Sequence, residues 1–406
     1  MKLTKKAIYI LIFSIILLSC AIFLSFFIIA KNKTPNVVFY GLEEKIVESI
    51  KETFLEEGKK FFTKKDQRIN FLVLDENLPL KRQLKKIKNV VTVFSYNNNS
   101  QRDIADNAIT YNSACYQLMP TSMRKVANKS LPILLNHLEI AVDNRIYVQI
   151  KNDKIYSLDA LIEEGKNYLN ENIYHTIFAA LGAEDKVLSY FLSAYIEARF
   201  GVDELNKINN YLAMNEDSLH FDTVIESEKL RNLKIVLDEL KIWKKEKLFH
   251  ADWEHYVFND FSVLMSAKKI AFCFMDLYNH RQFDYLTIKN YTDFFFPIGR
   301  AKGYDTSSRS LIVPAVVATN FVTLNRDVSL ECKKIVESFV NSENQAILTR
   351  KSGLAPVNST SDTQDSQAYD VRLWAASADS LAMDMGGAFL DPKNRKEFFE
   401  SIRRYL

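Results

Sequence analysis

Residues 131–147, LPILLNHLEIAVDNRIY, set Asn136, His137 and Glu139 inside an apolar run, with Asp143 just beyond it. Burying such groups without partners costs about 1–3 kcal/mol each, so the stretch calls for a physical reason. On a strand, His137 and Glu139 are two apart and share a face. With Asp143, that face is open to three readings: a metal cluster, the lining of a cleft, or hydrogen bonding at a hinge. Metal ligands are scarce, because the chain has only 6 His and no second ligand pair stands nearby at a recognised spacing. A second group, Asp276, Tyr278, Asn279, His280 and Arg281, closes the run IAFCFMDLYNHR. Carboxylates and amides at a strand end hold hydroxyls, and a guanidinium can grip a carboxylate with two bonds. The 3 tryptophans, Trp243, Trp253 and Trp374, offer flat faces for a sugar ring or for the core. Ser307, Ser308 and Arg309 stand ahead of a second apolar run. Asp252, Glu254 and His255 flank Trp253 without a catalytic spacing. The chain has no GxSxG, HExxH or Walker A motif, and no GxGxxG after a strand.

The elements that must position these groups alternate. NVVFYG (36–41), INFLVLD (69–75) and NVVTVFSYN (89–97) read as strands, with helices between them. EEKIVESIKETFLEEGKKFF carries Ile46, Val47, Ile50, Phe54 and Leu55 at helical spacing. Alternating strands and helices predict βαβ units around a mostly parallel sheet, with ligands beyond the C-terminal strand ends. Those ends carry Tyr40-Gly41, Asp75-Glu76 and Ser95-Tyr96-Asn97. After residue 147 about 100 residues read as helices, HTIFAALG (175–182) among them. Strand character returns in AKKIAFCFMDLYN, TDFFFPIGR and SLIVPAVVATNFVTLN. The segment 368–406 reads as helical behind a polar linker. Two proline-bearing, strand-like runs, 131–143 and 310–325, suit a chain that crosses between two lobes more than once.

Bulk properties narrow the function. The 406 residues suggest two domains, and 48% apolar residues supply a large core. Residues 1–30 hold Lys2, Lys5 and Lys6 and no acid, so residues 31–406 carry equal numbers of acids and bases. A neutral body has no global field to draw nucleic acid. The basic runs KRQLKKIK (81–88) and KIWKKEK (241–247) read as solvated helix faces. Four cysteines, with no CxxC, indicate neither a zinc ribbon nor a disulfide framework. Residues 7–30 form an uncharged apolar run of 24, long enough at about 1.5 Å per residue to span a bilayer core of about 30 Å. The lysines ahead of it keep the N-terminus in the cytoplasm, so the body is expected outside the membrane. Leu17-Leu18-Ser19-Cys20 is the competing feature: it is similar to a lipobox, in which Cys20 would be lipidated.

Taken in order, several stretches resemble the extracellular solute-binding proteins of ABC importers, in the family that includes sugar binders. They are LPILLNHLEIAVDNRIY, ALGAEDKVLSYFLSAYIEARFG, AKKIAFCFMDLYN, TDFFFPIGR, SLIVPAVVATNFVTLN and CKKIVESFVNSENQAILTRKSGLAPVN, together spanning about residues 36–406. The resemblance implies two α/β lobes, a hinge and an inter-lobe cleft; the N-terminal transmembrane helix read from residues 7–30 departs from the family, which usually begins with a cleaved signal or a lipobox. The expected lobes are 35–138 with 312–354 and 139–311 with 355–406, after an anchor or lipoprotein signal at 1–34. The implied ligand-binding residues are Tyr40, Gly41, Tyr96, Asn97, Asn136, His137, Trp253, Asp276, Tyr278 and Arg309. The implied partners are a small polar solute, carbohydrate foremost, and the transmembrane subunits of a permease. Neither a cofactor, a metal nor nucleic acid is implied, and the chain is expected to act as a monomer. A cell-envelope assembly protein that keeps the fold without transport is the alternative, and an anchored hydrolase ranks below both.

Overall fold

The computed structural model describes residues 34–62, 69–126, 129–152, 157–218, 221, 225–295, 314–323, 325–361 and 382–406. The apolar run 7–30, Cys20, Ser307, Ser308, Arg309 and Trp374 lie outside these residues. Among the described residues no helix is long and apolar enough to cross a membrane.

The chain opens with β1 (Asn36–Tyr40), α1 (Glu44–Phe61), β2 (Asn70–Leu74) and β3 (Val90–Tyr96). β2 and β3 flank β1 in parallel. α1 buries Ile46, Val47, Ile50 and Phe54 against this sheet, while Leu55 turns outward, 50% exposed. The first crossing then resolves into two strands, β4 (Leu131–Leu135) and β5 (Leu138–Asp143), every residue of which is buried. β4 belongs to a six-stranded sheet and β5 to a four-stranded one. Asn136 and His137 are therefore the link between two sheets.

The second lobe continues with α2 (Leu158–Asn170), β6 (Thr176–Ala180), α3 (Asp185–Phe200), α4 (Val202–Asn215), α5 (Arg231–Lys245), β7 (Ile270–Asp276) and β8 (Tyr291–Phe295). Its strand order is β6-β7-β5-β8. β6 corrects a sequence expectation, because HTIFAALG is a strand parallel to β7 and not a helix. A five-residue apolar run shows no period, and the pairing partner that decides its form lies about 90 residues on. α3 is buried on nearly all sides, which fits its almost continuous apolar sequence, and Gly201 at φ 88 ends it.

The chain then returns to the first lobe as β9 (Ala315–Asn320), α6 (Arg326–Ser338), α7 (Ser342–Ser352) and β10 (Ala355–Pro356). β10 pairs with β4, so the first lobe runs past residue 354, the boundary expected from sequence. Gln345 fixes this return, donating to Ile133 O and Phe339 O at 2.8 Å and accepting from Val357 N at 2.8 Å. Residues 382–391 are turns and a 3-10 segment, and the helix expected over 368–406 is described only as α8 (Pro392–Tyr405). α8 packs its Phe398, Phe399 and Ile402 into the second lobe.

Each lobe has its own aromatic core. In the first, the Phe39, Phe94 and Phe339 rings stack and Phe54 meets Phe94 edge-on. In the second, Phe178, Phe191, Phe249, Phe274, Trp243 and Trp253 form one cluster.

Candidate functional site

The position of the crossing identifies the facing edges. In the six-stranded sheet, β4 runs antiparallel to β9, and β9 antiparallel to β3. The end of β4 therefore lies on the same edge as the ends of β1, β2 and β3. In the four-stranded sheet, the start of β5 shares its edge with the ends of β6 and β7. These two edges meet at Asn136–His137, and the side chains between them form the candidate site.

The hinge is a polar knot. Asn136 is buried; its amide donates to Asp276 Oδ2 at 2.7 Å and its Oδ1 accepts from Tyr278 N at 3.1 Å. Asn136 N donates to Pro314 O at 2.7 Å, and Leu277 N donates to His137 O at 2.9 Å. Asp276 also accepts from Asn279 N at 3.1 Å, capping the turn Leu277–His280. Leu277 leaves the second lobe's sheet and buries itself in the first lobe's core. Residues 136–137, 276–278 and 314 thus cross between lobes side by side.

Above this knot stand groups from both lobes. Tyr96 ends β3 and donates from its hydroxyl to Glu43 Oε2 at 2.9 Å. Lys186, in the first turn of α3, pairs with Glu43 across the gap and lies 3.6 Å from Asp276 Oδ2. Its ammonium sits over the Tyr96 ring at 4.6 Å and the Tyr278 ring at 5.8 Å. Glu184 accepts from Asn279 Nδ2 at 3.1 Å. Asp384 accepts from Ser189 Oγ at 2.6 Å, and Asn99 of the first lobe donates to Ala388 O of the second at 2.8 Å. Tyr40 ends β1 beside this edge and donates to Leu78 O at 3.1 Å. Burial drives its phenol up to about 12, against the pull of Arg395 from α8.

Of the residues expected from sequence, Tyr40, Gly41, Tyr96, Asn97, Asn136, His137, Asp276 and Tyr278 lie at the edges or the hinge. Gly41 takes φ 63, a left-handed turn that lets the chain leave β1. Asn97 N bonds Ala315 O at 2.9 Å. Trp253 is corrected: it is fully buried among Phe191 and Phe249, and no ring face is left for a solute. The feature of the fold that takes it inward is the segment after α5, which packs under the turn following β6. Within the 137–143 stretch, Glu139 pairs with His280 and Asp143 with Arg145. Among the described residues no three His, Cys, Asp or Glu converge on a metal position. Glu43, Lys186, Glu184, Asn99, Asp384 and Arg395 were not singled out in the sequence. Glu184-Asp185-Lys186 at the start of an apolar helix is a local cue for two of them, Glu184 and Lys186, whereas Asp384 has none.

A buried group and a half-buried one give the hinge region opposite responses to pH. Burial holds the His137 imidazole down at about 4, so it stays neutral when folded. An unfolded histidine titrates near 6.5, so only the unfolded chain takes up this proton between about pH 6.5 and 4. His137 therefore costs the folded state about 2 kcal/mol by pH 5. Glu184 works the other way: burial, then Asp276, raise it from 4.5 to about 7. The folded chain holds that proton where the unfolded chain has lost it, so this penalty grows as pH rises from 4.5 through 7. Urea titrations at pH 5 and 7.5 separate the two. His137→Gln should lose less stability on acidification than the parent, and Glu184→Gln should lose more. Equal slopes in parent and variants would refute both assignments.

A surface hollow of ≈ 270 Å³ lies elsewhere, bounded by Asp159, Arg199, Glu239 and Trp243. Arg199 is 13 residues from Lys186 on α3, about 20 Å along the helix, so this hollow is remote from the inter-lobe edge.

No protein-family model matches the chain, and no curated protein matches it in sequence. Solved structures do match. The bacterial solute receptor AcbH, described as preferring β-D-galactopyranose exclusively, aligns with a TM-score of 0.63 at 9% identity, over 92% of this chain and 98% of that one. The solute-binding protein RafE in complex with raffinose gives 0.58 at 12% identity, over 92% and 98%. The apo form of RafE from Streptococcus pneumoniae gives 0.60 at 12%, over 92% and 97%. The chain has the two-lobed α/β fold of these solute receptors.

Proposed function

We propose that this chain is the extracytoplasmic solute-binding component of an ABC importer, tethered to the cytoplasmic membrane through residues 7–30. It binds a small polar solute, carbohydrate foremost, between its lobes and presents the closed form to a permease. The observation that carries this reading is the convergence of Tyr96, Asn136, Asp276 and Tyr278, with Lys186 and Glu43, where two sheet edges meet at a hinge. Tyrosine faces suit the apolar face of a sugar ring, and the amide and carboxylates suit its hydroxyls. A solute that touches both edges favours the closed state by its differential affinity, and no bond need break. The fold neighbours' own ligands, β-D-galactopyranose and raffinose, put galactosides first in a screen.

The test is calorimetry on the full chain in detergent with mono-, di- and trisaccharides. Tyr278→Ala, which keeps the backbone bond to Asn136, should weaken the best sugar at least tenfold, about 1.4 kcal/mol. If no saccharide binds, or Tyr278→Ala binds as the parent does, the reading fails. Mass spectrometry of the native N-terminus separates an uncleaved helix from lipidation at Cys20.

A further inference from the structure

The cleft already holds a cation, and it is the protein's own. The Lys186 ammonium stands between carboxylates of opposite lobes, Glu43 on the first and Asp276 on the second. Two tyrosine rings face it, Tyr96 from the end of β3 and Tyr278 from the hinge. The Tyr96 hydroxyl lies 3.4 Å from Nζ and donates to the same Glu43 carboxylate, so three members of the group bind one another. Carboxylates on two sides and aromatic faces on two others make a primary-ammonium site.

We propose that Lys186 is a tethered ligand of this inter-lobe ammonium site and latches the lobes together when no solute is present. The inference rests on the inter-lobe cleft of the reading above, and not on which solute enters it.

The geometry gives the latch its direction. Glu43 precedes α1 in the first lobe, whereas Lys186 and Asp276 belong to the second. Opening the hinge parts Glu43 from Lys186 while the Lys186–Asp276 contact can persist. The contacts to Glu43 and Tyr96, both on the first lobe, are therefore the ones spent on closure. Asp384 and Glu184 also lie in this region, so carboxylates outnumber ammonium groups around Asp276. Without the Lys186 charge, closing the lobes would bring the Glu43 carboxylate toward the Asp276 carboxylate with no cation between them.

The site can be emptied and refilled. Lys186→Ala removes Cγ, Cδ, Cε and Nζ, and n-propylammonium restores the same three carbons and the ammonium. The full chain in detergent, spin-labelled by non-cysteine chemistry at Glu56 and Lys207, reports the lobe separation with no sugar present. Both positions are on outward helix faces. The parent should show the short distance. Lys186→Ala, and the uncharged, similarly long Lys186→Met, should shift the closed-to-open ratio by about tenfold or more toward open. Millimolar n-propylammonium should return Lys186→Ala toward the parent distribution, and 1-propanol should not. Circular dichroism confirms that each variant is folded. The proposal is overturned if the empty parent is as open as Lys186→Met, if Lys186→Ala stays closed, or if 1-propanol rescues as well as n-propylammonium. None of these outcomes depends on sugar binding, so the latch and the transport reading fail separately.

Discussion

Replacing Asp276 with alanine should destabilise the protein by about 3–5 kcal/mol, among the largest losses any single polar substitution produces here. Asp276 is fully buried at the end of β7. Its two oxygens serve three groups: Asn136 Nδ2 at 2.7 Å, Asn279 N at 3.1 Å and Lys186 Nζ at 3.6 Å. Alanine leaves a buried amide without its acceptor, an uncapped turn and an ammonium with one carboxylate fewer. Each such vacancy costs on the order of 1–3 kcal/mol, and the charged one more. Asparagine is no safe replacement. Its Oδ1 can still cap the turn, but its Nδ2 then faces the Asn136 amide and the Lys186 ammonium, donor against donor. Asp276→Asn should therefore lie nearer to alanine than to the parent. Urea denaturation of the full chain in detergent, followed by tryptophan fluorescence, measures both. A loss below about 1 kcal/mol for Asp276→Ala would mean that the knot at Asn136 holds the hinge without its carboxylate.

The fold was legible where the pattern is local. NVVFYG, INFLVLD and NVVTVFSYN are short β-branched runs that end in turn residues, and all three lie in one sheet as β1, β2 and β3. The interruption of an apolar run by Asn136 and His137 marked the passage between sheets, because only a strand leaving one sheet for another needs polar groups there. HTIFAALG was illegible for a physical reason: five apolar residues fit a buried helix and a buried strand equally, and the choice belongs to β7. The candidate site divides along the same line. Tyr40, Tyr96, Asp276 and Tyr278 could be named because they end apolar runs. Glu43 and Lys186 could not be matched, since their pairing spans 143 residues and depends on how two lobes approach each other. Asn99 and Ala388 meet across 289 residues on the same terms.

Trp253 shows how residue type misleads when depth is unknown. A tryptophan beside Asp252, Glu254 and His255 has the composition of a sugar platform, yet its ring lies 4.9 Å from Phe249 and 5.5 Å from Phe191 inside the second lobe. Trp253→Ala should therefore cost stability, about 3–5 kcal/mol, and leave solute affinity of the surviving folded fraction nearly unchanged. Trp253→Phe should cost much less. The indole Nε1 has no hydrogen-bond partner among the described residues, so a phenyl ring forfeits volume and little else. The backbone around the ring is equally constrained. A Cβ on Gly182 would come within 2.7 Å of the Trp253 carbonyl oxygen and 2.5 Å of Glu254 Cα, contacts that only a backbone shift relieves. Gly182→Ala should thus unfold the same region from the opposite side. Gly182 is two residues from Glu184 and four from Lys186, so a shift there reaches the cleft, whereas the cavity left by Trp253→Ala stays beneath it. Calorimetric melting and saccharide titration on the two variants separate these routes: a low melting temperature with parental affinity for Trp253→Ala, and a low melting temperature with weakened affinity for Gly182→Ala. Weakened affinity in Trp253→Ala at an unchanged melting temperature would return the tryptophan to the cleft and overturn its place in the core.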